Sequence, residues 1–229
     1  MSTSTSAVPP RSVAERLKAP LLYLLMIAVA VFFVAPVYVM LATSLKPMDQ
    51  ITLEQMWQWP RTFSFQSYAV AFEKLRPNLI NTFALVILAT IISSLVGSLN
   101  GYVLAKWRFR YADQVFTFLL FGMFVPYQSI LIPLIRFLQE IKLYNTISGL
   151  VLVHVVYGIP ITTLMFRNFY AQIPDSLMDA ARIDGAGVWG AYVRIALPLS
   201  LPGFVVTGIW QFTQIWNEFL FAVSITQST

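Results

Sequence analysis

Five long stretches of the chain carry no charged residue, and short polar segments separate them. The uncharged stretches cover residues 19–45, 77–105, 114–135, 143–166 and 195–217. Each exceeds about 20 residues, the length that an α-helix needs to cross a hydrocarbon core about 30 Å thick. Inside that core only helices or closed barrels satisfy their backbone groups, and continuous apolar runs are unlike the alternating strands of a barrel. The pattern therefore predicts an all-α protein with five transmembrane helices.

The composition agrees with a membrane setting. Hydrophobic residues make up 58% of the chain, charged residues make up 11%, and the mean hydropathy is +0.70. A soluble domain has about 25% charged residues. We therefore predict a polytopic helix bundle over residues 19–229. Residues 1–18 are rich in Ser and Thr and carry basic residues, so they predict a disordered basic tail. The apolar run that follows is too long for a cleaved signal peptide.

The basic residues predict the orientation of the chain. Basic residues are enriched in cytoplasmic loops. A cytoplasmic N-terminus places most Lys and Arg residues inside, including the dense cluster at 106–110, and it places the charged insert 171–198 inside as well. The net charge of +5 forms no concentrated patch, which argues against a nucleic-acid partner. We therefore predict a multi-pass protein of a cell membrane with its N-terminus in the cytoplasm.

The insert 171–198 is polar and contains several glycines. Pro174 suits the first turn of a helix, and the acidic Asp175 and Asp179 favour its positive end. Gly185 is where such a helix would end in a left-handed conformation. A second helical pattern runs from Val188 to Pro198. The insert therefore predicts two short helices joined by a tight bend, in a form suited to docking on another protein.

The spacing within this insert resembles the EAA loop of binding-protein-dependent ABC importer permeases. The matching positions are Asp179, Ala180, Ala181, Gly185, Ile195, Leu197 and Pro198. Asp179 stands where the family usually has Glu, so the carboxylate is kept. The resemblance implies an ABC type I importer permease fold in a bacterial or archaeal membrane, with a cytoplasmic loop that couples to a separate ATPase subunit. Family members usually have a sixth span, which we expect to be truncated or absent here.

The segment Trp216–Ala222 resembles the fifth span of the carbohydrate-uptake subgroup, the maltose-type permeases. This resemblance implies a sugar importer that works by alternating access. It also implies a homologous second permease chain, a dimer of ATP-binding subunits that hold ATP and Mg²⁺, and an extracellular or periplasmic sugar-binding protein. The aromatic segment 46–76 is either a landing surface for that binding protein or an anchor at the membrane interface. Two alternatives stay open: an importer of an amino acid, peptide or anion, and a polytopic membrane enzyme.

Polar residues form a stripe on the fifth predicted span. At 100° per residue, Gln211, Gln214, Asn217 and Glu218 share a side with Trp210 and Thr213, opposite Ile215. A charged residue facing lipid near a helix centre costs about 2.5–3.5 kcal/mol, so we expect this side to face the bundle interior or a solute pathway. The alternative is that these groups hydrogen-bond neighbouring helices.

His154 and Tyr157 lie three residues apart in the fourth predicted span and could face the same interior surface. If the chain were instead a polytopic membrane enzyme, these two residues and Glu218 would form its site. For His154, a satisfied polar contact or sugar binding is favoured over a proton relay, because relays usually chain several ionisable groups. With one His and no Cys, the sequence predicts no metal site. It contains no phosphate-binding Gly-x-x-x-x-Gly-Lys-Ser/Thr motif, so we expect no cofactor and no catalytic residue in this chain.

Overall fold

The computed structural model describes residues 13–107 and 109–226. These residues form helices, turns and connecting loops, and no strand occurs among them. The helices are α1 (Val13–Ser44), α2 (Gln66–Lys106), α3 (Ala112–Phe121), α4 (Leu131–Glu140), α5 (Ile147–Ala171), α6 (Asp175–Ile183), α7 (Val188–Ala191), α8 (Leu197–Leu199), α9 (Leu201–Asn217) and α10 (Leu220–Ile225). Single 3₁₀ turns cover Met48–Gln50 and Gly122–Phe124, and a π-helical turn covers Tyr192–Ala196. The all-α prediction is confirmed.

The number of continuous spans is smaller than the five predicted. By length and composition, three helical segments of the described chain suffice to cross a membrane: Lys18–Ser44, α2 and α5. A fourth span results if the helical stretch Val188–Leu199 and α9 are counted together, although their axes differ by 73°. The fifth predicted run, 195–217, therefore begins before this bend and continues as α9 after it.

The third predicted span, 114–135, is not one helix. It divides into α3, the 3₁₀ turn Gly122–Phe124 and α4, with Pro126 in the break. Val125, just before the proline, is extended (φ −75°, ψ 116°). A proline disfavours the α conformation in the preceding residue and offers no N–H for a helical hydrogen bond, so the helix cannot pass this point undisturbed.

Two helices begin earlier than the uncharged runs predicted. Helix α1 starts at Val13, inside the tail predicted to be disordered, whereas residues 1–12 lie outside the described part of the chain. Helix α2 starts at Gln66 and includes Glu73, Lys74 and Arg76. Charged residues are compatible with a helix but not with the hydrocarbon core. An uncharged run thus marks the segment suited to lipid, and the helix itself can be longer.

Within the described residues, the chain up to Pro77 forms one compact unit and the chain from Asn78 forms another. In the first unit, the loop after α1 returns to the end of that helix. The Tyr38 hydroxyl donates to the Trp57 carbonyl at 3.1 Å, and the Tyr38 ring stacks on Trp59 at 6.3 Å. Buried Lys46 donates to the Gln55 carbonyl at 2.5 Å. These contacts give a defined structure to part of the aromatic segment 46–76, for which the sequence left a landing surface and an interfacial anchor open.

In the second unit, α2, α5 and α9 pack closely because small residues lie at their contacts. A Cβ added at Gly97 of α2 would lie 2.2 Å from the Thr162 hydroxyl of α5. A Cβ added at Gly158 of α5 would lie 2.2 Å from the Gln211 amide nitrogen of α9. The Thr162 hydroxyl also reaches the Ser93 carbonyl of α2 at 3.0 Å. Membrane helices associate in this way because lipid is as apolar as their side chains, so close packing must supply the attraction.

Substituting Gly97→Ala tests this contact. The new methyl group overlaps the Thr162 side chain and approaches the Thr162 backbone carbon to 2.9 Å, so α2 and α5 must separate. Overpacking of this kind costs about 1–3 kcal/mol. We expect a lower thermal unfolding midpoint of the detergent-solubilised protein. The control Gly122→Ala adds a methyl group that meets nothing within 4 Å and should leave the midpoint unchanged.

Candidate functional site

The residues predicted to line a pathway lie together in one pocket. Helices α5, α9 and α10 line an open pocket of about 600 Å³, with Tyr127 on one side. All the predicted pathway residues are on its wall: His154, Tyr157, Gln211, Gln214, Asn217 and Glu218. The structure therefore brings the polar stripe of the fifth predicted span together with the two polar residues of the fourth.

The end of α9 places Glu218 in this pocket. The helix ends at Asn217, and Glu218 is extended, with φ −77° and ψ 125°. The Glu218 Oε1 atom accepts a hydrogen bond from the Phe221 backbone N–H at 2.9 Å, which satisfies a free donor at the start of α10. The carboxylate thus stabilises the break between the two helices while it lines the pocket.

Several buried polar atoms of the pocket have no hydrogen-bond partner among the described residues. They are His154 Nε2, Tyr157 Oη, Gln211 Oε1 and Glu218 Oε2. Buried polar atoms in proteins are nearly always paired, with protein or with water. His154 Nε2 lies 3.8 Å from Glu218 Oε2. The two side chains form an ion pair only when the imidazole is protonated. Water or a polar solute in the pocket can supply partners for these atoms.

Aromatic rings form the apolar part of the pocket wall. The Phe221 ring lies 5.4 Å from Tyr127, 5.8 Å from His154 and 5.1 Å from Tyr157, measured between ring centroids. Sequence reasoning did not assign Tyr127 or Phe221 to the site. The sequence signal that could have identified Tyr127 is the adjacent Pro126. The proline interrupts the helix here, so Tyr127 does not lie in a regular membrane-spanning helix.

The predicted stripe on α9 needs one correction. Thr213 was expected on the pathway side, but it does not line the pocket, and its hydroxyl donates to the Ile209 carbonyl at 2.8 Å. Ile215 was assigned to the opposite side, yet it is buried and lines the pocket. Gln211 and Ile215 are four residues apart, so they share the helix face that packs on α5. The helical wheel alone could not identify that face.

The predicted coupling insert folds as two short helices with a bend, as expected. Pro174 precedes α6, and Gly185 has φ +80°, the left-handed conformation that ends this helix. Gly187 has φ −72° and needs no such freedom. The inner face of α6 buries Met178 and Ala181. The opposite face of α6, which includes Asp179 and Ala180, is exposed.

The residues of the EAA-like pattern divide into two groups. Asp179, Ala180, Gly185 and Pro198 are exposed, whereas Ala181 is buried and Ile195 and Leu197 pack against the same buried cluster. Asp179 pairs with Arg182 at 3.0 Å, but both side chains are more than half exposed, so the pair adds little stability. The exposed group is available to a partner, and the packed group holds the insert on the bundle.

Hydroxyl groups connect the insert to the long helices. Ser98 Oγ of α2 lies 2.6 Å from Tyr170 Oη of α5 and 3.0 Å from Tyr192 Oη of the π-helical turn. Tyr170 Oη also donates to Ser200 Oγ at 2.9 Å, just before α9. All four residues are buried. This network was not predicted, because its members lie far apart in sequence and no local pattern relates them.

Lys106 provides a second connection. Its side chain is only 5% exposed, and Nζ donates to the Ile173 carbonyl at 2.5 Å and to Asp175 Oδ1 at 2.7 Å. Sequence analysis assigned Lys106 to the orientation of the chain. The structure shows that it also joins the end of α2 to the start of α6. No group of three or more His, Cys, Asp or Glu residues in the described ranges could hold a metal ion.

Comparison with known proteins identifies the family. Residues 97–229 match the family described as binding-protein-dependent transport system inner membrane component. A probable ABC transporter permease of Pyrococcus horikoshii is 45% identical over 208 residues, which cover 90% of this chain and 76% of that protein. The xylose/arabinose import permease of Haloferax volcanii is 34% identical over 223 residues, covering 89% and 72% of the two chains.

The fold has a counterpart among solved structures. The crystal structure of a bacterial ABC transporter involved in the import of the acidic polysaccharide alginate superposes with a TM-score of 0.76. The match covers 96% of this chain and 78% of that chain, with 18% sequence identity, so it establishes the shared fold alone.

The chain belongs to the inner membrane component family of binding-protein-dependent transport systems and is a multi-pass permease subunit of an ABC transporter, not an enzyme. Membership implies ATPase partners, a substrate-binding protein and a second permease subunit. His154, Tyr157 and Glu218 do lie together, as the enzyme alternative required, but in a transport subunit.

Removing the Tyr170 hydroxyl group tests the hydroxyl network that connects the insert to the long helices. Tyr170→Phe keeps the buried ring but removes its hydrogen bonds to Ser98 and Ser200, at a cost of about 0.5–1.5 kcal/mol each. We expect a lower unfolding midpoint of the purified transporter and weaker ATPase stimulation by transport substrate. Tyr111→Phe is the matched control, because Tyr111 is exposed. Equal midpoints for the two variants would contradict the role given to the network.

Proposed function

We propose that this chain is one of two permease subunits of an ATP-driven sugar importer, and that its pocket is part of the sugar pathway. The observation that carries the proposal is the convergence of the six polar residues with aromatic rings in one pocket. A sugar presents hydroxyl groups that both donate and accept hydrogen bonds, and it presents flat apolar faces that stack on aromatic rings.

The pocket suits a sugar better than the other cargoes considered. An amino acid or a peptide carries both a cationic and an anionic group, and an anion requires a positive partner. Among the described wall residues, only Glu218 carries a formal charge at neutral pH. The related Haloferax permease is named for xylose and arabinose import, which supports the same cargo class. Membership of the maltose-type subgroup, which the resemblance of Trp216–Ala222 implies, stays a prediction.

The exposed residues of the insert are the proposed contact with the ATPase subunits. In this proposal the N-terminus and the insert face the cytoplasm, and two ATP-binding partners hold ATP and Mg²⁺ outside this chain. Their closure moves α6 and α7, which Lys106 and the Tyr170 network tie to α2, α5 and the start of α9. Of these helices, α5 and α9 also line the pocket, so motion at the insert changes access to it. A sugar-binding protein delivers the cargo on the opposite side.

A cargo contact in the pocket is tested by Gln211→Leu. The substitution removes the amide whose oxygen has no partner among the described residues, with little change in volume. We expect sugar uptake by proteoliposomes containing the assembled importer to fall about tenfold or more, with the ATPase and second permease still co-purifying. The control Thr213→Val removes a hydroxyl group from the same helix outside the pocket and should transport normally. Normal uptake by Gln211→Leu would argue against sugar contact at this position.

The bend at Gly185 is tested by Gly185→Val. A side chain in the left-handed region costs about 1–2 kcal/mol, whereas nothing lies within 4 Å to obstruct it, so the effect comes from the backbone alone. We expect membrane insertion to be retained and ATPase docking or coupling to be lost.

Gly187→Val is the matched control for this bend. Gly187 has an ordinary negative φ and equally open surroundings, so this variant should couple normally. The measurements are co-purification of the ATPase subunits and substrate-stimulated ATP hydrolysis. Full coupling in the Gly185→Val importer would exclude the bend as a necessary part of the connection.

A further inference from the structure

The charge of the pocket is set by a single carboxylate. Of the described residues on its wall, Glu218 alone is formally charged at neutral pH, and no Lys or Arg is among them. Helices α9 and α10 contain no basic residue. The basic residue on α5, Arg167, pairs with Asp113 at 3.0 Å and is not on the wall. The wall that these helices form therefore lacks a compensating cation.

The two oxygen atoms of Glu218 have different surroundings. Oε1 accepts the hydrogen bond from the Phe221 N–H, so the free donor at the start of α10 is already occupied. Oε2 is buried and has no hydrogen-bond partner in the described chain, and it lies 3.8 Å from His154 Nε2. With His154 neutral, the wall carries one negative charge. With His154 protonated, the two residues pair and the net charge is zero. Neither state provides a free positive charge.

We propose that Glu218 makes this pocket selective for uncharged or amino sugars and against anionic sugars such as uronic acids. The proposal rests on the sugar pathway proposed above and names the charge class of its cargo. A sugar carboxylate entering the pocket would meet Glu218, and the described wall has no Lys or Arg to neutralise either group. The ammonium group of an amino sugar would instead pair with the free Oε2.

Simple electrostatics gives the size of the effect. At an effective dielectric constant of about 20, two like charges about 5 Å apart repel strongly enough to lower affinity by more than about tenfold. Glu218 lines this open pocket, so a sugar that binds against its wall approaches the carboxylate.

Glu218→Gln provides the test. The variant keeps the shape of the side chain and an amide oxygen that can accept from Phe221, but it removes the charge. Equilibrium binding of radiolabelled glucose, glucosamine and glucuronate is measured on the purified importer assembled without its binding protein. We expect the native importer to bind glucuronate at least about tenfold more weakly than glucose. In Glu218→Gln that ratio should approach one, and any preference for glucosamine should be lost.

Two further variants keep the test decisive if Glu218→Gln assembles poorly. Gln214→Glu adds a second carboxylate to the wall and should increase discrimination against glucuronate. Asp49→Asn removes an exposed carboxylate outside the pocket and should change none of the three affinities.

The outcomes separate this inference from the proposed function. Equal binding of glucose and glucuronate by the native importer would overturn the charge selection and leave the sugar pathway standing. Native discrimination that neither Glu218→Gln nor Gln214→Glu alters would overturn the role of Glu218. Binding of none of the three sugars by any variant would overturn the sugar cargo itself, and with it the premise of the inference.

Discussion

The close approach of α2, α5 and α9 is the contact on which the functional part of this molecule depends. In lipid, helices gain little by burying apolar side chains against one another, so their association relies on close packing and hydrogen bonds. Gly97 and Gly158 allow the backbones to meet neighbouring side chains at distances that any larger residue would prevent. The Thr162 hydroxyl adds a polar contact to the Ser93 carbonyl in the same interface.

This packing also positions the pocket. Gly158 lies directly against the Gln211 side chain, so the contact that joins α5 to α9 orients one of the polar groups of the wall. The break at Glu218 then brings Phe221 to the rings of Tyr127 and Tyr157. Polar and aromatic groups thus converge for two reasons. The helices pack closely, and α9 ends just before Glu218, whose carboxylate accepts a hydrogen bond at the start of α10.

The insert and the pocket share the same supports. Lys106 joins the end of α2 to the start of α6, and the Tyr170 hydroxyl joins α5 to the residue before α9. A buried polar network is rigid when its members are satisfied, and it favours one arrangement over others. In the proposed coupling, a displacement of the insert reaches α5 and α9, which line the pocket, through these contacts.

The sequence by itself determined the all-α class, the membrane setting, the bend at Gly185 and the six polar residues that line the pocket. These follow from local rules: apolar length, the cost of a charge in lipid, and the backbone freedom of glycine. It could not determine that 114–135 breaks at Pro126, because prolines inside membrane helices are often tolerated when neighbouring groups satisfy the backbone. Nor could it place Ile215 rather than Thr213 on the pocket wall, or connect Ser98 with Tyr170 and Tyr192. Only the tertiary structure decided these, because they depend on which helix faces meet, and residues distant in the chain set that relation.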